Sequence, residues 1–400
     1  MSQHPTSITD IRLPNWSAPW PDKTMPNAGL PLLPSTSHHL VYLARQEMGM
    51  YNHCPILMKE TDYFVAAWCS HADDEMAPGQ RVLMSSSPDG CHWAIPTPLL
   101  DSLSPMKQLA DGEGIFMNCR QFVRIENRYY GFGEAYQITA WTDGNEIVTS
   151  GDRQKHTGCV HHRIGTWMRQ IQHGMPCGDP FWIHSLPQND HAIVSPILAS
   201  WQDMDETVRH DCQQIIDRNL FGTQDPEIAM RDYMNNLIAR KDPDLAARVR
   251  LCEPQRYTLK DGTSICLFRD DKYSLRLFAA YRDSSMDDWS IARQTNIPDS
   301  AALFNIGMLP KGQWYLIGNN IPIKWCRDPL TIACSYDGIT FDRAWALRAN
   351  APQQRHYGMY KGPGFQYPFV LMHEGDLWVI YSVNKEDIEI TQIPIDDNFA

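Results

Sequence analysis

The chain has 400 residues, 43% of them hydrophobic and 20% charged, with a formal net charge of −12. That acidity sets nucleic acid and anionic membrane aside as main partners, and leaves room for a small anionic substrate where cations cluster. No apolar run approaches the roughly 20 residues of a bilayer span, and eleven scattered cysteines without a CxxC pair predict reduced, core-filling thiols in a cytoplasmic protein.

Residues 1–35 are rich in Pro, Ser and Asn and predict a surface-wrapping segment without regular structure. Met1–Ser7 has neither a basic cluster nor an apolar core, so no signal peptide is expected. From His38 to about Ser200 the chain reads as short strands between turns: 40–44, 63–68, 81–85, 116–125, 129–135 and 181–185. Residues 202–250 break this rhythm. Val208, Cys212, Ile215 and Ile216 recur at helical spacing, as do Ile228, Met230, Tyr233, Met234 and Leu237, which predicts a helical insertion. Strands then return over 264–268, 275–281, 313–318, 330–335, 369–373, 377–382 and 388–393.

Two turns repeat one pattern. Ser87-Pro88-Asp89-Gly90-Cys91-His92-Trp93 and Ser335-Tyr336-Asp337-Gly338-Ile339-Thr340-Phe341 each follow an apolar strand. Asp-Gly turns with an aromatic residue three positions on, between antiparallel strands, predict an all-β fold of propeller type with seven blades, or six. A degenerate third copy occupies Ser284–Trp289. The expected organisation is an N-terminal segment (1–35) and a single propeller domain (36–400), interrupted at 202–250. The strand at 40–44 is placed to complete the sheet formed by 369–393.

Polar residues at strand starts are the candidates for chemistry, because a propeller gathers such ends around its axis. Tyr51-Asn52-His53-Cys54-Pro55 sets a histidine before an apolar run, either as acid/base or hydrogen-bonded to a loop. Arg120 interrupts an apolar strand, and pairs with an acid such as Glu134 or faces an anion. Arg269-Asp270 and Arg327-Asp328 lie at strand boundaries, as salt bridges or as parts of an anion clamp with Arg120. Lys361-Gly362-Pro363-Gly364 delivers Lys361 and Tyr367 to a late strand, where Tyr367 donates a proton or simply packs. Cys159-Val160-His161-His162 has the residue types of a metal site but no second cluster at ligand spacing, so neither a metal nor a cofactor is expected.

The two Asp-Gly turns resemble short forms of the Asp-box of sialidase-like propellers. Gln366-Tyr367-Pro368 with Leu377–Ile388 is similar to their closing blade. Tyr51-Asn52-His53-Cys54-Pro55 resembles the Asn-His-x-Pro stretch of propellers that act on L-rhamnose-α-1,4-D-glucuronate linkages, as lyases or as rhamnosidases. The resemblance implies His53 as acid/base and an oligosaccharide substrate carrying a uronate. The Phe/Tyr-Arg-Ile-Pro motif of a true sialidase is absent.

The expected function is β-elimination, with His53 as base, Tyr367 as proton donor, and Asn52, Arg120, Arg269, Arg327 and Lys361 binding substrate. Glycoside hydrolysis, with Glu134 and Asp328 as the acids on offer, and non-catalytic sugar binding are the other readings. The insertion is expected to act as a lid or as a contact between identical subunits.

Overall fold

The computed structural model describes residues 13–105, 114–143, 146–148, 158–185, 194–195, 197–218 and 226–395. The chain opens with β1 (Asn15–Trp16) and β2 (Ser37–Tyr42). A run of four follows: β3 (Tyr51–Lys59), β4 (Phe64–His71), β5 (Arg81–Ser87) and β6 (Thr97–Leu100). Next come β7 (Ser104–Pro105), β8 (Gly114–Ile125), β9 (Arg128–Asp143), β10 (Glu146–Val148), β11 (Gly158–Gln172), β12 (Met175–Ser185), β13 (Val194–Ser195) and β14 (Ala199–Ser200). Three helices intervene, α1 (Glu206–Asp217), α2 (Pro226–Lys241) and α3 (Pro243–Arg248). The chain then runs through β15 (Leu251–Thr258), β16 (Ser264–Asp270), β17 (Arg276–Arg282), β18 (Arg293–Pro298), β19 (Asn305–Met308) and β20 (Trp314–Gly318). It finishes with β21 (Leu330–Ser335), β22 (Thr340–Phe341), β23 (Arg343–Arg348), β24 (Phe365–His373), β25 (Asp376–Val383) and β26 (Asp387–Pro394).

These elements fall into two compact units. The first takes the chain through Leu32, then Glu227–Cys326 and Thr331–Leu347. The second takes Leu33–Pro226, Arg327–Leu330 and the chain from Arg348 onward.

In the second unit, β3-β4-β5-β6 is a four-stranded sheet, and β2-β26-β25-β24 is another. The closing pairing expected for the early strand is present: Ser37 faces Gln392 and Leu40 faces Glu389, antiparallel. The third sheet is built on the long strands β8, β9, β11 and β12, with β10 and β14 added at its ends. In the first unit the sheets are β15-β16-β17-β18 and β19-β20-β21-β23. Repeated antiparallel sheets of four strands make the fold an all-β propeller. Among the described residues the sheets of four or more strands number five, not the seven or six expected. Strands β11 and β12 are 15 and 11 residues long and join β8 and β9 in one sheet, which uses chain that shorter strands would have divided between blades.

Each Asp-Gly turn is closed by the same bonds. Ser87 Oγ donates to Asp89 Oδ1 and accepts from Gly90 N, while Cys91 N and His92 N donate to Asp89 Oδ1. Ser335, Asp337, Gly338, Ile339 and Thr340 repeat this arrangement. Both glycines are left-handed (φ 77° and 76°), and a Cβ on Gly90 would fall 2.5 Å from the Trp378 ring. Glycine is therefore required for both backbone and space. Phe341 is fully buried and Trp93 half-buried. The third copy is instead a turn capped by Asp283, whose Oδ1 accepts from Ser285 N and Oγ.

The N-terminal segment, expected without regular structure, carries a short strand: β1 pairs in parallel with β22, and Trp16 is buried with its backbone N–H donated to Asn296 Oδ1. The helical stretch expected at 202–250 is present as α1–α3, and its residues 219–225 lie outside the described ones. In the second unit α1 sinks Val208, Cys212 and Ile215 against Tyr130, Phe132, Met168 and Phe181. In the first, α2 sinks Met230, Met234, Leu237 and Ile238 against Phe268 and Phe278. Burying an aliphatic side chain contributes roughly 1.5–3 kcal/mol, so these helices are part of the core of each unit.

All eleven cysteines are free thiols, five of them buried. Among the described residues no helix is long and apolar enough to cross a membrane, and no group of three or more His, Cys, Asp or Glu gathers to hold a metal ion.

Candidate active site

Strands β24, β3 and β8 lie side by side in the second unit, and they carry Tyr367, His53 and Arg120. Proline explains why His53 and Tyr367 are singled out. Pro55 and Pro368 each sit inside a strand, where a missing N–H breaks the ladder. The register slips between His53 and Ile56 in β3 and between Gln366 and Phe369 in β24. Cys54 (φ 53°) and Tyr367 (φ 56°) take left-handed backbone there. Bulges of this kind re-aim side chains, and non-glycine residues held in such backbone cluster at functional sites.

The two bulges bring the His53 and Tyr367 rings to 4.3 Å between centroids. His53 is fully buried and Tyr367 half-buried. His53 Nδ1 lies 2.7 Å from Ser382 Oγ on β25, and that hydroxyl donates onward to the Gln366 carbonyl at 3.4 Å. The chain of bonds puts the imidazole hydrogen on Nδ1 and leaves Nε2 with a lone pair. Nε2 is buried and has no hydrogen-bond partner among the described residues. Burial, then the charges of Lys385 and Arg327, push the His53 pKa well below its ordinary value, so the ring is neutral at neutral pH.

Arg327 is buried, and its backbone is fastened to the start of β24. Phe365 N donates to the Arg327 carbonyl at 2.8 Å, and a Cβ on Gly364 (φ 111°) would meet Arg327 Cβ at 2.5 Å. Asp328, one of the acids on offer for hydrolysis, accepts from Asn350 N and Ala351 N and so organises a loop.

Arg120 takes the first of its two expected roles. Its Nε donates to Glu134 Oε2 at 3.0 Å, and Arg163 Nη1 donates to Oε1 of the same carboxylate at 3.0 Å. Tyr136, stacked on Phe116, donates its hydroxyl to Glu134 at 2.5 Å. Burial pushes the Glu134 carboxyl up, but the Arg120 charge and the three donors outweigh it and hold it below its ordinary value. Two guanidinium groups on one carboxylate leave a net positive cluster, with the Arg120 side chain still 30% exposed.

Three of the expected substrate ligands serve the scaffold instead. Asn52 is fully buried; its Nδ2 donates to the Gly49 and Glu386 carbonyls, and its Oδ1 accepts from Trp68 Nε1. The side chain of Lys361 is equally buried, donating to the Met50 carbonyl and to Glu386 Oε1. Arg269 belongs to the first unit, where it pairs with Glu253 at 2.5 Å and donates to the Ala301 carbonyl. In each case satisfying buried backbone and carboxylate groups takes the donors a ligand would need.

Ser382 and Lys385 were not singled out from the sequence. The available signal was a serine ending the apolar run Leu377–Tyr381, followed by an Asn-Lys turn. That turn is left-handed at both residues (φ 60° and 54°), and it ties Lys385 to Glu75.

A family model described as BNR repeat-like domain matches residues 204–379. No curated protein sequence matches the chain. Among solved structures, a protein described as a sialidase aligns with a TM-score of 0.71 at 21% identity, over 96% of this chain and 35% of that one. The chain thus spans about a third of that protein's length. A protein of unknown function from Dyadobacter fermentans aligns with a TM-score of 0.51 at 10% identity, over 91% of this chain and 100% of that one. The sialidase of Trypanosoma rangeli in complex with sialic acid gives 0.50 at 10% identity, over 92% of this chain and 60% of that one. Likeness at these identities defines a class of fold, the sialidase-type β-propeller. The repeat-domain match over residues 204–379 agrees with that fold.

Proposed function

We propose that the protein is a carbohydrate-active enzyme that cleaves a uronate-containing oligosaccharide by β-elimination, with His53 and Tyr367 at the reacting bond. The observation that carries this reading is the buried, unpartnered Nε2 of a neutral His53 whose other nitrogen is held by Ser382. Proton abstraction at carbon needs a base that is unprotonated at working pH and fixed in orientation. Nε2 takes the C5 proton, the electron pair forms the C4–C5 double bond, and the C4–O bond breaks. Tyr367 supplies the proton to the leaving oxygen. Arg327, whose charge already bears on the imidazole, offsets the carboxylate charge that builds up as C5 is deprotonated. The Tyr367 ring packs against the imidazole, 4.3 Å between centroids, and Nε2 is buried, so Tyr367 must swing aside for substrate to reach Nε2.

Glycoside hydrolysis is favoured by a different feature, the Tyr136–Glu134 pair, since a tyrosine activated by a carboxylate is a known glycosidase nucleophile. Against it, burial pushes the Tyr136 pKa up to about 12 and Glu134 is held ionised by two arginines, so neither a ready phenolate nor a carboxylic acid is at hand. Mass spectrometry of the products separates the readings. Elimination yields a fragment one water lighter than hydrolysis does. Fragments of hydrolytic mass would discard the His53 mechanism in favour of the Glu134 cluster.

A further inference from the structure

In the first unit, Trp325 is 66% exposed and Tyr273 77% exposed. Trp20, the other exposed tryptophan among the described residues, is covered by the Arg276 guanidinium at 4.5 Å. Trp325 and Tyr273 instead share one ammonium. Lys324 Nζ stands 4.0 Å from the Tyr273 ring centre and 4.7 Å from that of Trp325.

Both rings stand on fixed backbone. Trp325 takes left-handed backbone (φ 61°) and donates its N–H to the Ser300 carbonyl at 2.8 Å, while Cys326 N donates to Ile323 O. Tyr273 rides the turn between β16 and β17, which the buried Asp270 carboxylate builds by accepting from Lys272 N and Ser274 N. Lys324 makes no ion pair among the described residues, so its charge is held between the rings without a carboxylate to neutralise it.

We propose that Tyr273, Lys324 and Trp325 form a docking platform for an anionic pyranose. The apolar face of the sugar stacks on the indole and phenol, and its carboxylate or sulfate meets the ammonium. Aromatic rings present the flat apolar surface that the C–H face of a pyranose matches. An ammonium held by two π-faces is partly desolvated already and gives up less hydration on meeting an anion. A peptide or a second copy of the chain would use the rings alike but has no need of a lone cation between them. The platform rests on the saccharide reading above and extends it to a sugar unit bound away from the reacting bond.

The test uses the full chain and two probes: a glucuronate-containing tetrasaccharide, and the same tetrasaccharide with its carboxylates reduced to alcohols. Binding is measured by titration calorimetry in wild type, Trp325→Ala, Tyr273→Ala and Lys324→Gln, with circular dichroism confirming the fold. The expectation is about tenfold weaker binding of the acidic probe in Trp325→Ala and Tyr273→Ala. Lys324→Gln should narrow the difference in affinity between the acidic and reduced probes, and turnover of a disaccharide should be the same in all four proteins. Unchanged affinity in Trp325→Ala overturns the platform, as does a variant that merely turns a dimer into a monomer. If Trp325-dependent binding is found but no saccharide is cleaved, the enzymatic reading fails and the platform stands. If cleavage is found and the variants bind like wild type, the reverse holds.

Discussion

His53 is held neutral by burial, and that has a consequence for stability as well as for chemistry. Its folded pKa lies well below the ordinary value near 6.5, so between the two the unfolded chain binds a proton that the folded one does not. The stability this group contributes is present above about pH 6.5 and is lost as pH falls from there towards the folded pKa. Thermal melts should therefore show a wild-type midpoint that drops below pH 6.5, and a His53→Gln midpoint that drops less; parallel profiles would mean that the imidazole is not buried neutral. Ser382→Ala removes the acceptor that fixes the tautomer. It should lower kcat by about tenfold with KM little changed, read from steady-state kinetics. Histidine at position 53 was legible in the sequence because it precedes an apolar run beside Asn52, in a stretch that resembles the Asn-His-x-Pro pattern. Its partner was not, since Ser382 lies 329 positions away and nothing local announces that pairing.

At the scale of elements, the loop preceding β24 is held by a buried carboxylate. Glu386 accepts from Arg355 N, His356 N and Lys361 Nζ, and both Glu386 and the Lys361 side chain are fully buried. Burial pushes the Glu386 carboxyl up, but those N–H donors and the Lys361 charge hold it below its ordinary value. Glu386→Gln keeps the shape and strands the ammonium, so chemical denaturation should show a loss of about 3–5 kcal/mol. Activity should fall with it, because the same loop leads through Gly364 to Tyr367. Strands that are continuous apolar runs, such as β4, β20 and β25, were readable. Strands β11 and β18 were not, because His161-His162-Arg163 and Arg293-Gln294-Thr295 are polar and are strands only through their neighbours' hydrogen bonds. Likewise Lys361 read as a ligand because sequence shows a cation near a strand start, and cannot show the acid 25 positions on that takes its charge.

On the scale of the whole molecule, the Asp-Gly turns and the β2–β26 pairing made the propeller class readable, while the number of blades depended on strand lengths that composition does not encode. The helices illustrate the same limit. Their 3.6-residue period was plain, but which face packs inward was settled by tertiary contact, notably Asp211, fully buried and accepting from Arg128 and Tyr130. Asp211→Ala should cost about 1–3 kcal/mol, measured by urea unfolding; an unchanged midpoint would mean that α1 is held by its apolar face alone. Everything proposed for the site depends on His53 driving elimination on a uronate-linked oligosaccharide. Its most direct test is the ultraviolet absorbance of the unsaturated uronate during incubation with wild type and with His53→Gln. Absorbance should rise with wild type, and at a rate about 10²–10⁴-fold lower with the variant. Sugar release without absorbance, or an equal rise with His53→Gln, would contradict it.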